Sequence, residues 1–398
     1  MSISKKVKAI APSLTLEITA KAKKMKAEGI SVIGFGAGEP DFNTPDYIIE
    51  SAKKALDIGF TKYTPASGTV ELKQAICDKF LKDNGLTYKP SQIVISSGAK
   101  SSLYHAIVAI VEDGDEVILP SPYWLTYPEL INLAGGKCIC VKTSKETGYK
   151  ITASQLEKAI TDKTKALILN TPNNPTGAVY SQNEIEEIAK VCEKHGIYVI
   201  SDEIYEKLVY EGEKHYSIAK CSDYMKEHTV IVNGMSKTYS MTGWRIGYIA
   251  APEDIAKAVS SMQSHTTSNA CSISQYASTT ALVDPKGEEF IANMQKIFDE
   301  RRKYMFETLS KVENIVCNEP KGAFYVFVNV SALYGKTFNG KKIDGSLSFA
   351  DCALSKGVAV IPGVAFGDDE CIRLSYAISM QDIKEGLDRL INFINELK

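Results

Sequence analysis

The sequence predicts an α/β protein built around a doubly wound, mostly parallel β-sheet, with a smaller α/β domain assembled from both termini. Short β-branched runs alternate with amphipathic helices from about residue 46 to 284. This alternation is typical of a parallel sheet with helices on both faces. Several runs end in glycine or proline turns, the place where open α/β sheets bind ligands. We therefore expect a large domain at 46–284 and a small domain formed by 1–45 and 285–398.

The composition excludes several classes of function. The chain has 398 residues, of which 44% are apolar and 24% are charged, and its net charge is −2. Nothing in this balance indicates binding to nucleic acid or to an anionic membrane. No apolar run approaches the roughly 20 residues that cross a bilayer, and the lysine-rich start of the chain shows no signal peptide. Nine scattered cysteines indicate reduced thiols in a cytoplasmic protein, and five isolated histidines predict no metal site.

The elements can be placed in order from their periodicity. Apolar residues at helical spacing predict the helices, and short apolar or alternating runs predict the strands. The polar stretch 264–274 predicts a loop. The predicted helices lie at 14–28, 45–58, 69–84, 101–112, 152–160, 181–195 and 286–312, and strands begin near 93, 115, 138, 166, 197, 229, 322, 358 and 371.

The stretch 234–247 carries the most specific pattern in the chain. Lys237 follows a buried strand at 229–232 and a glycine turn. A lysine held there among small and apolar neighbours is partly desolvated, which favours the neutral, nucleophilic amine. Arg245 lies eight residues further on, where a second cation could hold a phosphate. The alternative is a surface lysine in a polar loop.

This pattern resembles the lysine-attachment signature of class I and II aminotransferases, the aspartate aminotransferase family of fold type I. Every position of the signature is met: a small residue, one free position, Ser-Lys, an arginine eight residues after the lysine, and apolar-Gly. The resemblance extends over nearly the whole chain and implies an enzyme dependent on pyridoxal 5'-phosphate. Lys237 would attach the cofactor and move the substrate proton, while Ser236 and Arg245 would bind the phosphate. The resemblance also implies a homodimer with active sites at the subunit interface, acting on an amino acid and a 2-oxo acid.

A glycine turn before the helix predicted at 101–112 is a second candidate phosphate site. Backbone N–H groups and the positive end of a helix dipole bind phosphate at such turns. A tight turn without a ligand would give the same sequence, and no Walker A motif is present. Beside the lysine signature, we expect Gly98, Ala99 and Lys100 to hold the phosphate.

Two residues are candidates for contacts with the cofactor ring. Trp124 offers a flat apolar face on which a pyridine ring can stack, although a core aromatic residue is the simpler interpretation. Asn174 lies in the rigid turn 170–177 and can donate a hydrogen bond to a phenolate oxygen. The resemblance places the family's stacking aromatic residue and its NxPxNPTG motif at these positions.

An acid and a tyrosine follow the strand that begins near 197. Asp202 could simply cap the next turn, or its carboxylate could pair with a protonated pyridine nitrogen and keep the ring an electron acceptor. Tyr205 can hydrogen-bond the phenolate oxygen of the ring. The two residues stand in an Asp-x-x-Tyr pattern, and Asp202 precedes Lys237 by 35 residues.

Three further residues are candidates for contacts with the substrate or a partner. Arg373 lies within an apolar strand, and a buried arginine requires an anionic partner. That partner could be an internal acid or the α-carboxylate of a substrate, held by two parallel hydrogen bonds. Gly38 lies in a GEPDF segment that resembles the family's, where the backbone lies against the substrate. Tyr63 matches a family tyrosine that reaches the cofactor phosphate of the partner subunit.

The amino acid substrate follows from one absence and two matches. No arginine occurs between Arg245 and Arg301, unlike the subgroup that uses such an arginine for the distal carboxylate. Lys100 and Thr15 match the positions that serve the distal group in a second, bacterial subgroup. We expect L-aspartate and 2-oxoglutarate as substrates, giving oxaloacetate and L-glutamate. An aromatic or prephenate aminotransferase and a C–S β-lyase on the same scaffold are the alternatives.

Overall fold

The computed structural model describes residues 3–398 and contains fifteen strands in four sheets. The strands are β1 (Ile33–Gly34), β2 (Ile93–Ser97), β3 (Glu116–Ser121), β4 (Lys137–Lys142), β5 (Thr164–Asn170), β6 (Tyr198–Asp202), β7 (Thr229–Gly234), β8 (Ile246–Ala250), β9 (Val316–Cys317), β10 (Tyr325–Asn329), β11 (Thr337–Phe338), β12 (Lys341–Lys342), β13 (Val358–Ala359), β14 (Ile361–Pro362) and β15 (Cys371–Ser375).

Fifteen α-helices connect and cover these strands within the described residues. None of them is long and apolar enough to cross a membrane. The helices are α1 (Lys5–Lys8), α2 (Leu14–Ala27), α3 (Asp46–Asp57), α4 (Val70–Asn84), α5 (Ala99–Ile110), α6 (Thr126–Ala134), α7 (Ala153–Ala159), α8 (Gln182–His195), α9 (Asp223–Glu227), α10 (Met235–Thr238), α11 (Glu253–Thr266), α12 (Ser272–Val283), α13 (Lys286–Leu309), α14 (Ser346–Ser355) and α15 (Met380–Asn395).

The large sheet has seven strands in the order β2-β8-β7-β6-β5-β3-β4. Strand β8 is antiparallel to both of its neighbours, and all other neighbouring pairs are parallel. This arrangement confirms the predicted mostly parallel sheet. The carboxyl ends of six strands therefore share one edge, and the reversed strand β8 begins at that same edge.

Both faces of the large sheet are covered. In β2, Ile93 and Ile95 pack into a core with α3 and α4, while Val94 points to the other face and packs into a core with α5 and α11. Six of the seven strands are mostly buried, as expected when helices lie on both sides of a parallel sheet, whereas the edge strand β4 is partly exposed. Helices therefore cover both faces of the sheet, as the doubly wound prediction requires.

A smaller antiparallel sheet, in the order β14-β15-β10-β9, packs with α13, α14 and α15. Strand β1 pairs with β13, so a segment from the first 45 residues joins the C-terminal region. The core of this region also includes Ile204, Tyr205, Leu208 and Tyr210, which follow β6. Chain that leaves the large sheet thus packs into the smaller core. The division at 46–284 stays a prediction.

The predicted loop at 264–274 is wrong for most of its length. Helix α11 continues to Thr266 and α12 begins at Ser272, so only five residues separate the two helices. The polar side chains of residues 264–268 are exposed, whereas Ser272 and Ser274 are buried. Ser272 donates its hydroxyl proton to the carbonyl of Phe60 at 3.0 Å. Just before the stretch, the amide nitrogen of the buried Gln263 donates to the carbonyls of Ala66 and Ile95 at 2.6 and 2.7 Å. The polar residues therefore occupy helix ends and a short connection, which polarity alone does not distinguish from a long loop.

The helix predicted at 101–112 begins two residues earlier, at Ala99. Its first turn therefore includes Ala99 and Lys100, whose backbone N–H groups have no carbonyl partner within a helix. This shift moves the predicted phosphate loop into the helix terminus itself.

Candidate active site

A cavity of about 660 Å³ opens at the edge where the parallel strands end, beneath α2. Its wall gathers twelve of the residues predicted from sequence. Gly98 lies just behind the wall, and Tyr63 is 90% exposed and lies elsewhere on the surface. The twelve are Thr15, Gly38, Ala99, Lys100, Trp124, Asn174, Asp202, Tyr205, Ser236, Lys237, Arg245 and Arg373.

Lys237 stands in α10, immediately after β7. Its Nζ atom donates a hydrogen bond to the carbonyl of Gly38 at 2.5 Å. Burial lowers the pKa of Lys237 to about 8; the nearby Glu39 carboxylate opposes this shift, and the cations Arg245 and Arg373 add to it. The desolvated lysine predicted from sequence is thus present, with an amine that loses its proton near neutral pH.

A cradle for an anionic group lies between the start of α5 and Arg245. Gly98 has φ +84°, and a Cβ atom there would lie 2.3 Å from Nη2 of Arg245. A Cβ atom on Gly247 would lie 2.1 Å from the backbone nitrogen of Ala99. Only glycine lets these segments approach so closely. Backbone N–H groups at a helix start, the hydroxyl of Ser236 and a guanidinium together fit a phosphate dianion.

Asp202 ends β6 and is only 3% exposed. Tyr127 donates its hydroxyl proton to Oδ2 at 2.8 Å, and the backbone N–H of Ile204 donates to Oδ1 at 3.2 Å. Burial raises the pKa of Asp202 to about 6, although both hydrogen bonds oppose the shift. A buried carboxylate in this state would be stabilised by a cation, such as a protonated ring nitrogen.

Two asparagines and two tyrosines form hydrogen bonds in the part of the cavity wall between Asp202 and Arg373. Asn170 donates to the carbonyl of Asp202 at 3.0 Å and accepts from the backbone N–H of Asn174 at 2.9 Å. The hydroxyl oxygens of Tyr205 and Tyr325 lie 3.0 Å apart. The side chain of Asn170 thus links the backbone of Asp202 to the backbone of Asn174.

Tyr127, Asn170 and Tyr325 are contact residues that sequence reasoning did not single out. Asn170 opens the NxPxNPTG motif, so the motif already contained its signal. Tyr127 follows Trp124 by three residues, about one helical turn, and the two rings make an edge contact at 5.5 Å. Tyr325 lies in an apolar strand, where nothing local distinguishes it from a core residue.

Arg373 is 3% exposed and forms no salt bridge with any carboxylate of residues 3–398. Its Nη1 donates to Oδ1 of Asn174 at 3.0 Å and its Nη2 to the carbonyl of Gly36 at 3.2 Å, while Nε has no partner. Burial lowers its pKa, and the neighbouring Tyr325 opposes that shift. The internal acid considered as an alternative is absent, so this guanidinium is available to an external anion.

Lys100 and Thr15 lie on the cavity wall in the first turns of α5 and α2. The Nζ atom of Lys100 lies 4.8 Å from the centroid of the Trp124 ring. Burial and the nearby Arg245 lower the pKa of Lys100. Thr15 stands in the first turn of α2, with its hydroxyl 3.0 Å from that of Ser13.

The sequence matches the family Aminotransferase class I and II over residues 30–390. The chain belongs to this family. It is 47% identical over 397 residues to the aspartate aminotransferase of Bacillus subtilis strain 168, covering 100% of both chains. It is 46% identical over 396 residues to the probable aspartate/prephenate aminotransferase of Aquifex aeolicus, covering 99% of both.

Solved structures agree with this assignment. The aspartate aminotransferase of Rhizobium meliloti superposes with a TM-score of 0.96 at 39% identity, over 100% of both chains. The aspartate aminotransferase of Thermus thermophilus with maleate gives a TM-score of 0.93 at 38% identity, over 99% of this chain and 100% of that one. Membership confirms the predicted fold type I and makes this class I and II aminotransferase an enzyme dependent on pyridoxal 5'-phosphate. The lysine, the anion cradle and the buried carboxylate described above fit that cofactor.

Proposed function

We propose that the enzyme transfers the amino group of L-aspartate to 2-oxoglutarate, giving oxaloacetate and L-glutamate. The observation that carries this proposal is the state of Arg373, a buried guanidinium without a carboxylate partner in the same cavity as Lys237. A planar fork of donors suits the α-carboxylate of an amino acid. Each Nη atom has one acceptor within the protein and a second N–H that can donate to a carboxylate.

Pyridoxal phosphate, when bound, supplies an electrophilic carbonyl carbon and a ring that accepts electrons. The protein's part is to hold it, orient it and tune its charge. Lys237 would attach the cofactor, and Ser236, Arg245 and the 98–100 turn would bind its phosphate. Asp202 would hold its ring nitrogen in the protonated form. Asn174 and Tyr205 would bind its phenolate oxygen, and Trp124 would offer its ring a flat apolar surface.

Lys237 also moves the proton that transamination relocates. A general acid–base group works best when its pKa is close to the operating pH. The pKa of Lys237, lowered to about 8, satisfies this condition. The Nζ atom, freed when the substrate amine replaces it, would take the proton from the substrate Cα atom and return it to the carbon to which Nζ had been attached. Because Nζ contacts the carbonyl of Gly38, the loop that contains Gly38 lies within reach of the same substrate atoms.

Lys100 and Thr15 bind the distal carboxylate of the substrate. An ammonium and a hydroxyl can both donate to that group. The structure has Lys100 on the wall beside Trp124, and Thr15 on α2 lines the same cavity.

A coupled assay tests the proposed reaction. Purified enzyme loaded with cofactor should consume aspartate and 2-oxoglutarate in equal amounts and form oxaloacetate at the same rate. A C–S β-lyase would instead release ammonia and pyruvate from a sulfur amino acid without consuming an oxo acid. Turnover of that kind, with no oxaloacetate from aspartate, would reject the assignment.

Prephenate is a second candidate amino acceptor. The observation that favours it is the cavity, whose volume of about 660 Å³ can admit a ring beside Trp124. The Aquifex relative is named for both activities, and prephenate carries two carboxylates, as 2-oxoglutarate does. Initial rates with one amino donor give kcat/KM for prephenate and for 2-oxoglutarate. Similar values would show that the enzyme accepts both, and a much lower value for prephenate would show that it prefers 2-oxoglutarate.

The enzyme works as a homodimer in which Tyr63 contacts the cofactor phosphate of the partner subunit. Tyr63 is 90% exposed, and Leu56, Ile58 and Val70 nearby in the sequence also expose apolar surface that a second copy would cover. The nine cysteines are all free, which fits a cytoplasmic location. Light scattering measures the dimer, and Tyr63→Phe should weaken cofactor binding in a fluorescence titration. An unchanged affinity would remove Tyr63 from the site.

A further inference from the structure

One face of α2 lines the cavity. Its residues recur at three- and four-residue spacing, as a single helical face requires. Lys23 and Lys26, here called the inner lysines, stand near the C-terminal end of that face, about one turn apart. The helix residues on the cavity wall are Thr15, Leu16, Ile18, Thr19, Ala22, Lys23 and Lys26.

Two other lysines of α2, here called the outer lysines, are paired with acids. Lys21 lies 3.5 Å from Asp351 and Lys24 lies 3.9 Å from Glu28. The inner lysines form no salt bridge with any carboxylate in residues 3–398. The same helix therefore carries lysines paired with acids on its outer side and unpaired lysines on the cavity side.

Basic side chains outnumber acidic ones on the cavity wall, although the chain as a whole has a net charge of −2. Six cationic side chains line it against two acids, Glu39 and Asp202. Four of these cations already have roles in the proposed function. The remaining two are the inner lysines, which are exposed and form no hydrogen bond or salt bridge with the described residues assigned to the chemistry.

We propose that the inner lysines select dianionic substrates by guiding them into the cavity. This inference deepens the proposed function and rests on it, since it concerns the entry of the same oxo acids. Charge at the mouth of a low-dielectric cleft raises the local concentration and the association rate of oppositely charged ligands. The gain grows with the charge of the ligand and falls as salt screens it. 2-Oxoglutarate carries two net negative charges, pyruvate one and neutral amino acids none.

The test compares Lys23→Gln/Lys26→Gln with Lys21→Gln/Lys24→Gln. Both double variants remove two charges from one helix with the same substitutions, so they match in net charge and helix propensity. At low salt, the inner variant should lower kcat/KM for 2-oxoglutarate about fivefold, with a smaller loss for pyruvate. The outer variant should stay within about 1.5-fold of wild type. Raising the salt to 0.5 M should reduce the difference between wild type and the inner variant.

A binding measurement separates this inference from the proposed reaction. Succinate is a dianion without a reacting group, and calorimetry with the cofactor-loaded enzyme should show about fivefold weaker binding to the inner variant at low salt. Equal losses in the two double variants, or no loss in the inner variant, would overturn the role of the inner lysines. Wild-type turnover of aspartate tests the proposed reaction by itself. The succinate result stands whichever amino donor the wild type prefers.

Discussion

Two buried arginines, Arg302 and Arg373, show opposite ways of holding a cation in the interior. Arg302, in α13, is 0% exposed and is surrounded by carboxylates of Asp299, Glu211 and Glu319 at 2.7–2.8 Å. Arg373, in β15, is 3% exposed and has only an amide oxygen and a carbonyl as acceptors. Both side chains also lie against aromatic rings, so the difference between them is the supply of negative charge.

The pKa values of the two arginines shift in opposite directions. Burial acts to lower the pKa of Arg302, but its hydrogen bonds to carboxylates outweigh this effect and raise the value. Burial lowers the pKa of Arg373, and no carboxylate compensates. Paired buried charge stabilises a junction, and unpaired buried charge is maintained for a ligand. The region around Arg302 joins the chain after β6 to α13, while the region around Arg373 is the candidate active site.

The largest expected effect is a loss of activity without a loss of stability, and it is expected when Lys237 of the candidate active site is replaced. Lys237→Ala should lower transamination on the order of 10⁵-fold, because both cofactor attachment and proton transfer are lost. It should not destabilise the cofactor-free protein at pH 7. The lowered pKa means that the fold disfavours the ammonium below about pH 8.

Borohydride reduction gives an independent check of Lys237. In the wild type, the reduced cofactor should label the peptide that contains Lys237, and in Lys237→Ala that label should be absent. A label on another peptide, or residual turnover near the wild-type rate, would contradict the assignment.

Asp202→Asn should separate function from stability at a single buried carboxyl group. Activity should fall on the order of 10³-fold, because a neutral amide cannot hold the ring nitrogen in its cationic form. Between the ordinary pKa of 3.8 and about 6, the folded protein binds more protons than the unfolded chain. The cofactor-free wild type therefore loses stability as the pH rises through this range, and that loss persists at pH 7.

The asparagine variant has no such pH-dependent loss, since the amide does not ionise and still accepts from Ile204. In the cofactor-free state at pH 7.5, its Tm should exceed that of the wild type by about 2–4 °C. Scanning calorimetry at pH 4 and pH 7.5 measures both points. A lower Tm than the wild type at both pH values would show that Asp202 is a structural residue.

The two arginines can be exchanged for leucine as a matched pair. Arg302→Leu should lower the free energy of unfolding by about 3 kcal/mol, because three carboxylates lose their shared partner. Arg373→Leu should leave that free energy unchanged or higher, and should lower kcat/KM for aspartate on the order of 10³-fold. Urea titration and initial rates on the folded fraction measure the two effects. The comparison fails if Arg373→Leu is the more destabilised protein.

The smallest expected effect tests the far wall of the cavity. Lys100→Ala should reduce kcat/KM for aspartate about tenfold and for phenylalanine about twofold, because only aspartate has a distal carboxylate to lose. Initial rates with both amino donors at a fixed 2-oxoglutarate concentration give the ratio. Equal losses would mean that Lys100 serves the cofactor phosphate and not the distal group.

Short-range patterns made much of this site predictable. Lys237 and Arg245 belong to one fourteen-residue signature, and Asn174 and Asp202 follow buried strands whose ends must meet at one edge of a parallel sheet. Periodicity likewise predicted the large sheet and most of its helices. These features depend on residues close in sequence or on a general rule of sheet architecture.

The features that sequence did not predict depend on contacts between distant residues. Tyr127 and Asp202 lie 75 residues apart, and only the folded sheet brings them together. The helical course of 264–266 and 272–274 depends on partners in distant segments, such as the bond from Ser272 to the carbonyl of Phe60. That the chain supplies Arg373 with no acid also needed the structure, because no sequence pattern identifies an absent neighbour.

The antiparallel direction of β8 constrains the distance between Lys237 and Arg245. Because β8 is antiparallel to β7, Gly234 pairs directly with Gly247, and the eleven residues between the two strands form a closed connection that contains α10. Lys237 and Arg245 both lie in this connection, so its length limits how far apart they can stand. Inserting a residue between Lys237 and Arg245 would move the arginine away from the start of α5, although the chain would still contain every residue of the site. Grafting this site onto another scaffold would thus require copying the length and path of the connection between β7 and β8, and not only its residues.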